Sequence, residues 1–256
     1  MSSMIFGLDP MLFALAVGVT LFAGFVKGAV GFAMPMIMIS GLSMFLPAPV
    51  ALAALILATV MTNVAQALRQ GRGAALESVR RYWRLVVTVM VFIFLSAPLV
   101  TVLPSWALYL ILGVPLLIFT ITQLLGRQLI LPAHHRNRAE VLTGAVGGFF
   151  GGISGVWGPP VIAYLLSFGT EKRESVRVQG VVYLLGAVVL FLSHLRSGVL
   201  NAATLPLSAA MIVPSGIGMW LGFKVQDRLN PVIFRKVTLL ILTIAALNLI
   251  RKGLSG

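Results

Sequence analysis

Eight apolar segments alternate with polar or basic linkers along the 256 residues. Six of these segments contain 18–21 residues, close to the roughly 20 residues that an α-helix needs to cross a bilayer. The pattern therefore predicts an all-α polytopic membrane protein. The eight segments cover residues 11–46, 48–68, 85–103, 106–125, 141–168, 178–195, 203–223 and 232–250.

The segments 11–46 and 141–168 do not fit a plain crossing. Each contains two apolar stretches of about 13–17 residues around a glycine cluster. A 13-residue helix is about 20 Å long, well short of the roughly 30 Å hydrocarbon core. Each segment is therefore either one interrupted crossing or a re-entrant hairpin that leaves the membrane on the side from which it came.

The distribution of Lys and Arg favours one of these two topologies. If all eight segments cross, 11 cations fall on one side of the membrane and 7 on the other. If 11–46 and 141–168 re-enter, the linkers share one side with 15 cations, against 3 on the opposite side. Cytoplasmic loops carry an excess of Lys and Arg, which favours re-entry. Re-entry leaves three crossings per half, so the two halves would be inverted; eight plain crossings are the alternative.

The two halves also share a sequence pattern at a constant offset of 127 residues. We predict a first repeat over 1–126, a basic cytoplasmic linker over 127–140 and a second repeat over 141–256, each repeat with one broken segment and three transmembrane helices. The matching positions are Gly24, Gly28, Gly31, Arg69 and Pro104 in the first half and Gly151, Gly155, Gly158, Arg196 and Pro231 in the second.

The composition is that of a chain dissolved in lipid. Apolar residues make up 59% and charged residues 10% of the sequence, whereas soluble domains have about 45–50% and about 25%. The net charge of +13 would suggest a nucleic-acid partner for a soluble protein. Here the cations cluster between apolar segments without a nucleic-acid-binding motif, so they indicate topology and contact with anionic lipid.

Neither a cofactor nor a metal is expected. Cysteine is absent, which excludes disulfides and cysteine-bound metal. The pair His134-His135 has no cysteine or carboxylate beside it in the sequence, and so does not resemble a metal site. The first ten residues contain no Lys or Arg and lack the basic region of a signal peptide.

Prolines after the two glycine clusters predict where new half-helices begin. Pro35 follows the first cluster and Pro159-Pro160 follow the second, and proline is tolerated in the first turn of a helix. The half-helices would start near Phe32 and Pro159, with free N–H groups and the positive end of the helix dipole near the middle of the membrane. Two such ends facing one cavity would bind an anion.

Lys27 lies inside the first glycine cluster, and no Asp or Glu occurs within an apolar segment. A cation at the bilayer centre costs about 2.5–3.5 kcal/mol, so it needs a partner. The sequence suggests that this partner is an anionic substrate. At the offset of 127 residues Lys27 pairs with Ser154, which predicts an asymmetric site. The predicted substrate-binding residues are Lys27, Gly28, Gly31, Asn63, Gln123, Ser154, Gly155, Trp157, Gly158 and Gln179.

These residues also have structural interpretations. Lys27 would satisfy its charge by snorkelling to an interface or by bonding to backbone carbonyls. The glycines equally fit close helix packing, as does the stripe of glycines over 144–152, and the three amide side chains fit interhelical hydrogen bonds. Trp157 fits an anchor at the membrane interface as well as a pocket wall. Arg69 and Arg196, at segment ends, fit snorkelling or a gate for the anion.

The stretches GFVKGAVGFAMP at 24–35 and GGFFGGISGVWGPP at 147–160 resemble the paired motifs of the sulfite exporter TauE/SafE family of bacterial membrane transporters. The resemblance extends over nearly the whole chain, and the pair at half-chain spacing is more specific than either motif alone. It implies export or import of sulfite, an organosulfonate or a related sulfur-containing or organic anion across the inner membrane. Lys27 and Phe32 stand where many members have small residues, so a relative's substrate does not transfer directly.

The function expected from these patterns is secondary transport, not enzyme catalysis, with substrate bound near the midplane and one repeat moving against the other. A Walker loop is absent, which argues against direct use of ATP. The expected partners are a small anion, the lipid bilayer, a coupling ion (sodium or a proton) and a second copy of the chain. An anion channel is the main alternative. An intramembrane enzyme is weaker, because Ser154 and Ser167 have no base in their sequence surroundings, and a scaffold or receptor role is a further alternative.

Overall fold

A computed structural model describes residues 4–126, 132–225 and 231–255 of the chain. The regular structure within these residues is helical. Seven helical stretches are long and apolar enough to cross a membrane, so the prediction of an all-α polytopic membrane protein is confirmed. These stretches are Pro10–Ala29, Ala48–Leu68, Trp83–Val102, Ser105–Leu124, Arg173–Ser197, Leu205–Val225 and Lys236–Ser255.

The first half of the chain forms helices α1 to α7. Their ends follow the local sequence: the Asp9 carboxylate accepts a hydrogen bond of 2.9 Å from the Met11 N–H and caps α1, and prolines occupy the first turns of α1, α2 and α3. The helices are, in order, Pro10–Val30, Met34–Leu42, Ala48–Leu68, Arg72–Arg81, Trp83–Ser96, Leu99–Val102 and Ser105–Leu124.

The second half forms a 3-10 turn at Ala133–His135 and helices α8 to α13. Part of the predicted linker 127–140 lies outside the described residues, and its last five residues belong to α8. The helices are, in order, Arg136–Ser154, Gly158–Ser167, Lys172–Ser197, Leu205–Ala210, Ile212–Val225 and Pro231–Ser255.

Each broken segment folds as a helical hairpin. The short helix α2 runs back along α1, so that Gly41 packs against the Val19 side chain. The short helix α9 likewise runs back along α8, where the Tyr164 hydroxyl donates a hydrogen bond of 2.9 Å to the Glu140 carboxylate. The second arms start at Met34 and Gly158, close to the predicted starts at Phe32 and Pro159.

The first arms of the hairpins are longer than the sequence suggested. α1 has 21 residues and α8 has 19, against the expected 13–17. The reason is that most of the clustered glycines continue the helix. Gly24 and Gly28 lie in α1 against the α12 backbone, where a β-carbon on either would meet the carbonyl oxygens of Ser215 and Met219.

The breaks themselves occur at two glycines in the left-handed conformation. Gly31 (φ 87°) ends α1 and Gly155 (φ 72°) ends α8, and glycine adopts this conformation without the steric penalty of a side chain. These two caps are 124 positions apart, whereas the glycine motif repeats at 127. Lys27 thus precedes the first cap by four positions, as Gly151 precedes the second.

The first arm of each hairpin packs on a helix from the other half of the chain. α1 packs on α12, and the equivalent helix α8 packs on α5. Both pairs are parallel, because Gly218 and Gly222 meet Leu21 and Phe25 in the same order along the chain, as Gly144, Gly148 and Gly152 meet Leu85, Val89 and Ile93. Small residues allow this close approach of helix backbones.

The helices α3 and α10 pack on each other, as do α7 and α13. Both pairs are antiparallel. At one end of the first pair the Gln70 amide donates to the Arg173 carbonyl (3.1 Å), and further along the Asn63 amide donates to the Tyr183 carbonyl (3.0 Å). α3 and α10 form the centre of the molecule, since 61% of the apolar stretch in each is buried, against 33% in α7 and α13.

Candidate functional site

The breaks of both hairpins meet at one small cavity beside α3 and α10. Its volume is about 20 Å³, which is room for about one water molecule. Both hairpins and both central helices contribute to its walls, and eight of the twelve lining residues belong to the two breaks or the first turn after them. The lining residues are Lys27, Phe32, Ala33, Pro35, Met36, Thr59, Asn63, Gly155, Val156, Trp157, Gly158 and Tyr183.

Lys27 points into this cavity and is 1% exposed. Its amino group donates hydrogen bonds to Thr62 Oγ1 (2.9 Å) and to Asn63 Oδ1. Both acceptors are neutral, and no ion pair joins Lys27 to a carboxylate within the described residues. The positive charge is thus held by two dipoles of α3 and lacks a protein counter-charge there.

Asn63 links Lys27 by hydrogen bonds to the second half of the chain. Its side-chain oxygen accepts from Lys27, and its nitrogen donates to the Tyr183 carbonyl of α10 (3.0 Å). Thr62 accepts from Lys27 and donates to the Ala58 carbonyl of its own helix (2.7 Å). These bonds fix the acceptors, so the amino group of Lys27 has a defined position at the cavity wall.

The N-termini of α2 and α9 also lie at the cavity, and neither is capped by a side-chain hydrogen bond. Free N–H groups and the helix dipole make such ends favourable to anions. The two ends differ in the number of backbone N–H donors. Among its first three residues α2 has one proline and so two donors, whereas α9 has Pro159 and Pro160 and so one donor, Gly158.

The first break holds a strained residue. Ala33, immediately before α2, has φ 78°, a left-handed conformation that costs a non-glycine residue about 1–3 kcal/mol. Ala33 is buried at the cavity wall. Strain of this kind persists where the surrounding structure imposes it, and it is often found in ligand sites.

Trp157 lines the cavity from the second break. Its ring packs over Gly151 of α8 and against Gly186 of α10. It meets Tyr183 edge-on, with ring centroids 6.3 Å apart. The buried indole N–H has no hydrogen-bond partner among the described residues. One half of the site therefore contributes a cation and the other half an aromatic ring.

Four of the ten predicted residues line the cavity with Lys27: Asn63, Gly155, Trp157 and Gly158. Gly31 caps α1 beside it, and its carbonyl accepts a hydrogen bond from the Gln66 amide (3.0 Å). Gly28 serves helix packing, since a β-carbon there would meet the Met219 carbonyl oxygen and the Gly222 backbone.

The other predicted polar residues do not line the cavity. The Ser154 hydroxyl donates to the Phe150 carbonyl (2.6 Å) and accepts from the Val156 N–H (3.0 Å), so it stabilises the end of α8. Gln179 donates to Ser175 Oγ (3.3 Å) within α10. Gln123 is half-buried near the end of α7.

Sequence reasoning left out Thr59, Thr62 and Tyr183. Thr59 and Thr62 precede Asn63 by four and one positions on α3, and Thr59 lies on the same helix face as Asn63. The Thr59 hydroxyl is buried at the cavity without a partner among the described atoms. Helical spacing would have identified Thr59, whereas Tyr183 had no such signal.

A separate polar cluster lies at the basic ends of the helices. Glu140 is buried and accepts hydrogen bonds from Tyr164 Oη (2.9 Å) and Arg136 Nε (3.4 Å), which joins the two arms of the second hairpin. Tyr82 donates to Glu174 Oε1 (2.9 Å). Burial and the hydrogen bond to the Glu174 carboxylate raise the pKa of Tyr82, so its hydroxyl remains a donor at neutral pH.

Arg69 and Arg196 lie at the C-terminal ends of α3 and α10. The Arg69 guanidinium lies 4.4 Å from the centre of the Phe223 ring, and that of Arg196 lies 5.8 Å from the Phe94 ring. Both contacts join the C-terminal end of a central helix to a crossing helix of the other half. Neither arginine lines the Lys27 cavity.

Comparison with known proteins gives one match. A sequence model of the family described as "Sulfite exporter TauE/SafE" matches residues 16–249 of the chain. No curated protein and no solved structure matches it significantly. The matched range contains both breaks and the whole lining of the Lys27 cavity.

Proposed function

The chain belongs to the sulfite exporter TauE/SafE family, and from that premise we propose that it is a secondary transporter of a small anion across the bacterial inner membrane. The family is one of membrane transporters of sulfur anions. Sulfite, an organosulfonate or a related sulfur-containing or organic anion is the proposed substrate. The observation that carries this proposal is the buried Lys27 between two uncapped helix N-termini, with neutral side chains as its partners.

Charge balance supports an anion. A buried cation without a counter-charge is costly, and two helix N-termini add positive potential to the same volume. Thr62 and Asn63 offset part of the cost by hydrogen bonding. A bound anion would accept hydrogen bonds from Lys27 and from helix N–H groups, and so would stabilise all of them together.

Helix directions support inverted repeats with re-entrant hairpins. If both broken segments re-enter, α3 and α10 run in opposite directions through the membrane, as do α7 and α13. If all eight segments cross, each of these pairs is parallel. The antiparallel contacts of Gln70 with Arg173 and of Trp106 with Gly253 agree with the first arrangement.

The exchange of helices supports transport by alternating access. The first hairpin packs on α12 of the second half, and the second hairpin packs on α5 of the first half. A shift of the first hairpin together with α12, against the second hairpin together with α5, would change the distance between the two breaks, where the Lys27 cavity lies. Because the cavity now has room for about one water, binding of a larger anion would require such a shift.

Transport itself is tested with purified protein in proteoliposomes. We expect saturable uptake of sulfite or a sulfonate, with faster uptake when the same anion is preloaded inside, because a carrier exchanges its substrate. The assay is run with and without a sodium gradient and with and without a pH gradient. Large, non-saturating anion currents without exchange would identify a channel, and no anion flux at all would contradict the proposed function.

Topology is tested with single cysteines, since the natural chain contains none. We expect Gly73→Cys and Glu171→Cys to be protected from a membrane-impermeant maleimide in intact cells, whereas Ala202→Cys is labelled. All three positions are exposed. In the eight-crossing arrangement Gly73 would instead share a side with Ala202, so common labelling of these two would contradict re-entry.

A further inference from the structure

A second cavity, far larger than the Lys27 cavity, lies between α7, α8 and the second arms of the two hairpins. Its volume is about 410 Å³. Val114 and Ile118 of α7, which are 42% and 59% exposed, stand at its rim. In a membrane these side chains face hydrocarbon, so the cavity opens sideways toward the lipid.

No side-chain hydroxyl in the described lining of this cavity lacks a hydrogen-bond partner. Thr122 and Ser154 are its two hydroxyl residues among the described lining. The Thr122 hydroxyl donates to the carbonyls of Ile118 and Phe119 (both 2.8 Å), and the Ser154 hydroxyl is held by the backbone on either side of the break. A polar ligand would lose its hydration without compensation here, whereas a hydrocarbon chain would gain from burial.

The two cavities share part of their walls. Met36 and Val156 line both of them. Met36 lies in the first turn of α2 and Val156 within the second break. Met36 is unbranched and can change its shape more readily than other apolar side chains, so a rotation of its side chain would connect the Lys27 cavity with the apolar cavity.

We propose that the substrate is an anion with an unbranched hydrocarbon tail, its head group bound at Lys27 and its tail in the apolar cavity. This inference rests on the proposed function and specifies the substrate class of the same site as alkanesulfonates and similar alkyl anions. The head group meets a cation and helix N-termini, and the tail meets a preformed apolar wall. Access from the lipid side suits such molecules, because they partition into the interface of the bilayer.

The test measures binding of methanesulfonate, butanesulfonate, hexanesulfonate and octanesulfonate to the purified protein. Each methylene that enters the apolar cavity should tighten binding about threefold to fourfold, until the cavity is filled. Hexyltrimethylammonium, with the same tail and the opposite charge, should not bind. Equal affinity along the series, as expected if a lipid chain permanently occupies the cavity, would overturn the inference.

The matched variant is Ala163→Phe, which narrows the apolar cavity without touching Lys27. We expect it to weaken binding of hexanesulfonate at least tenfold and to leave methanesulfonate unchanged. Ala14→Phe, at an exposed position of α1 outside both cavities, should alter neither. If methanesulfonate binds through Lys27 but the chain-length series is flat, the tail inference fails and the transporter proposal stands. If no anion binds, the proposed function fails as well.

Discussion

Replacing Lys27 with Met should weaken binding of sulfite and of methanesulfonate by roughly 30-fold or more, because removing one member of a buried charged pair typically costs about 2–5 kcal/mol of binding free energy. The methionine keeps an unbranched side chain of similar length but has no positive charge and no donor. Binding is measured by isothermal titration calorimetry of the purified protein, and uptake by the proteoliposome assay.

The same variant should not lose stability in the absence of substrate. A buried charge without a counter-charge is costly, so its replacement by an apolar side chain is often neutral or stabilising. Thr62 keeps its bond to the Ala58 carbonyl, whereas the buried Asn63 side-chain oxygen loses its donor, at a cost of about 1–3 kcal/mol that removal of the buried charge offsets. A melting temperature equal to or above that of the natural protein, together with weaker binding, would separate a binding role of Lys27 from a purely structural one.

Lys224→Met is the matched control. Lys224 is exposed, and its amino group lies 3.6 Å from the centre of the Trp220 ring, away from the cavity. The substitution changes the net charge by the same amount, so it reveals any general electrostatic effect on anion affinity. If Lys27→Met binds sulfite and sulfonates as tightly as the natural protein does, Lys27 is not part of the binding site.

The fold class and the location of the breaks could be predicted from the sequence because both depend on local features. Apolar length predicts crossing helices, and proline after a glycine cluster predicts a helix start. These rules predicted starts near Phe32 and Pro159, and the structure begins the second arms at Met34 and Gly158. The sequence rules underestimated the lengths of the first arms. A glycine can either end a helix or let it pack closely on a neighbour, and which of these occurs depends on the neighbouring helix.

The pairing of positions between the halves could not be obtained from an identity count. Three identical glycines at an offset of 127 residues suggested Ser154 as the counterpart of Lys27. Counted from the helix caps Gly31 and Gly155, which are 124 positions apart, Gly151 has the same position in α8 that Lys27 has in α1. Gly151 leaves room for the Trp157 ring, a contact that only the three-dimensional arrangement reveals. The same holds for Tyr183, which reaches the cavity because α10 packs on α3.

The contact between α1 and α12 should be the packing interface least tolerant of substitution. A β-carbon on Gly222 would meet the Phe25 carbonyl oxygen, the Gly28 α-carbon at 2.8 Å and the Ala29 nitrogen at 2.9 Å. All three are backbone atoms, which cannot rotate away. Gly222→Ala therefore forces the helices apart, at a cost of about 1–3 kcal/mol or more, and should lower the melting temperature by roughly 3–12 °C.

The equivalent interface of the other half provides a second measurement. Gly148→Ala in α8 would bring a β-carbon to 2.6 Å from the Val89 carbonyl oxygen of α5, and a similar loss is expected. Gly216→Ala is the control within α12: nothing lies within 4 Å of its β-carbon position, and alanine has the higher helix propensity by about 1 kcal/mol. It should melt at or above the temperature of the natural protein.

These stability changes also bear on alternating access. Tight packing of α1 on α12 and of α8 on α5 means that each hairpin moves with a helix of the other repeat. A larger side chain at either interface should therefore reduce transport by more than the loss of folded protein explains. Transport is therefore compared at equal amounts of folded protein. If Gly222→Ala and Gly148→Ala melt like Gly216→Ala and transport at the natural rate, the hairpins are not held by these contacts and must move independently of α12 and α5.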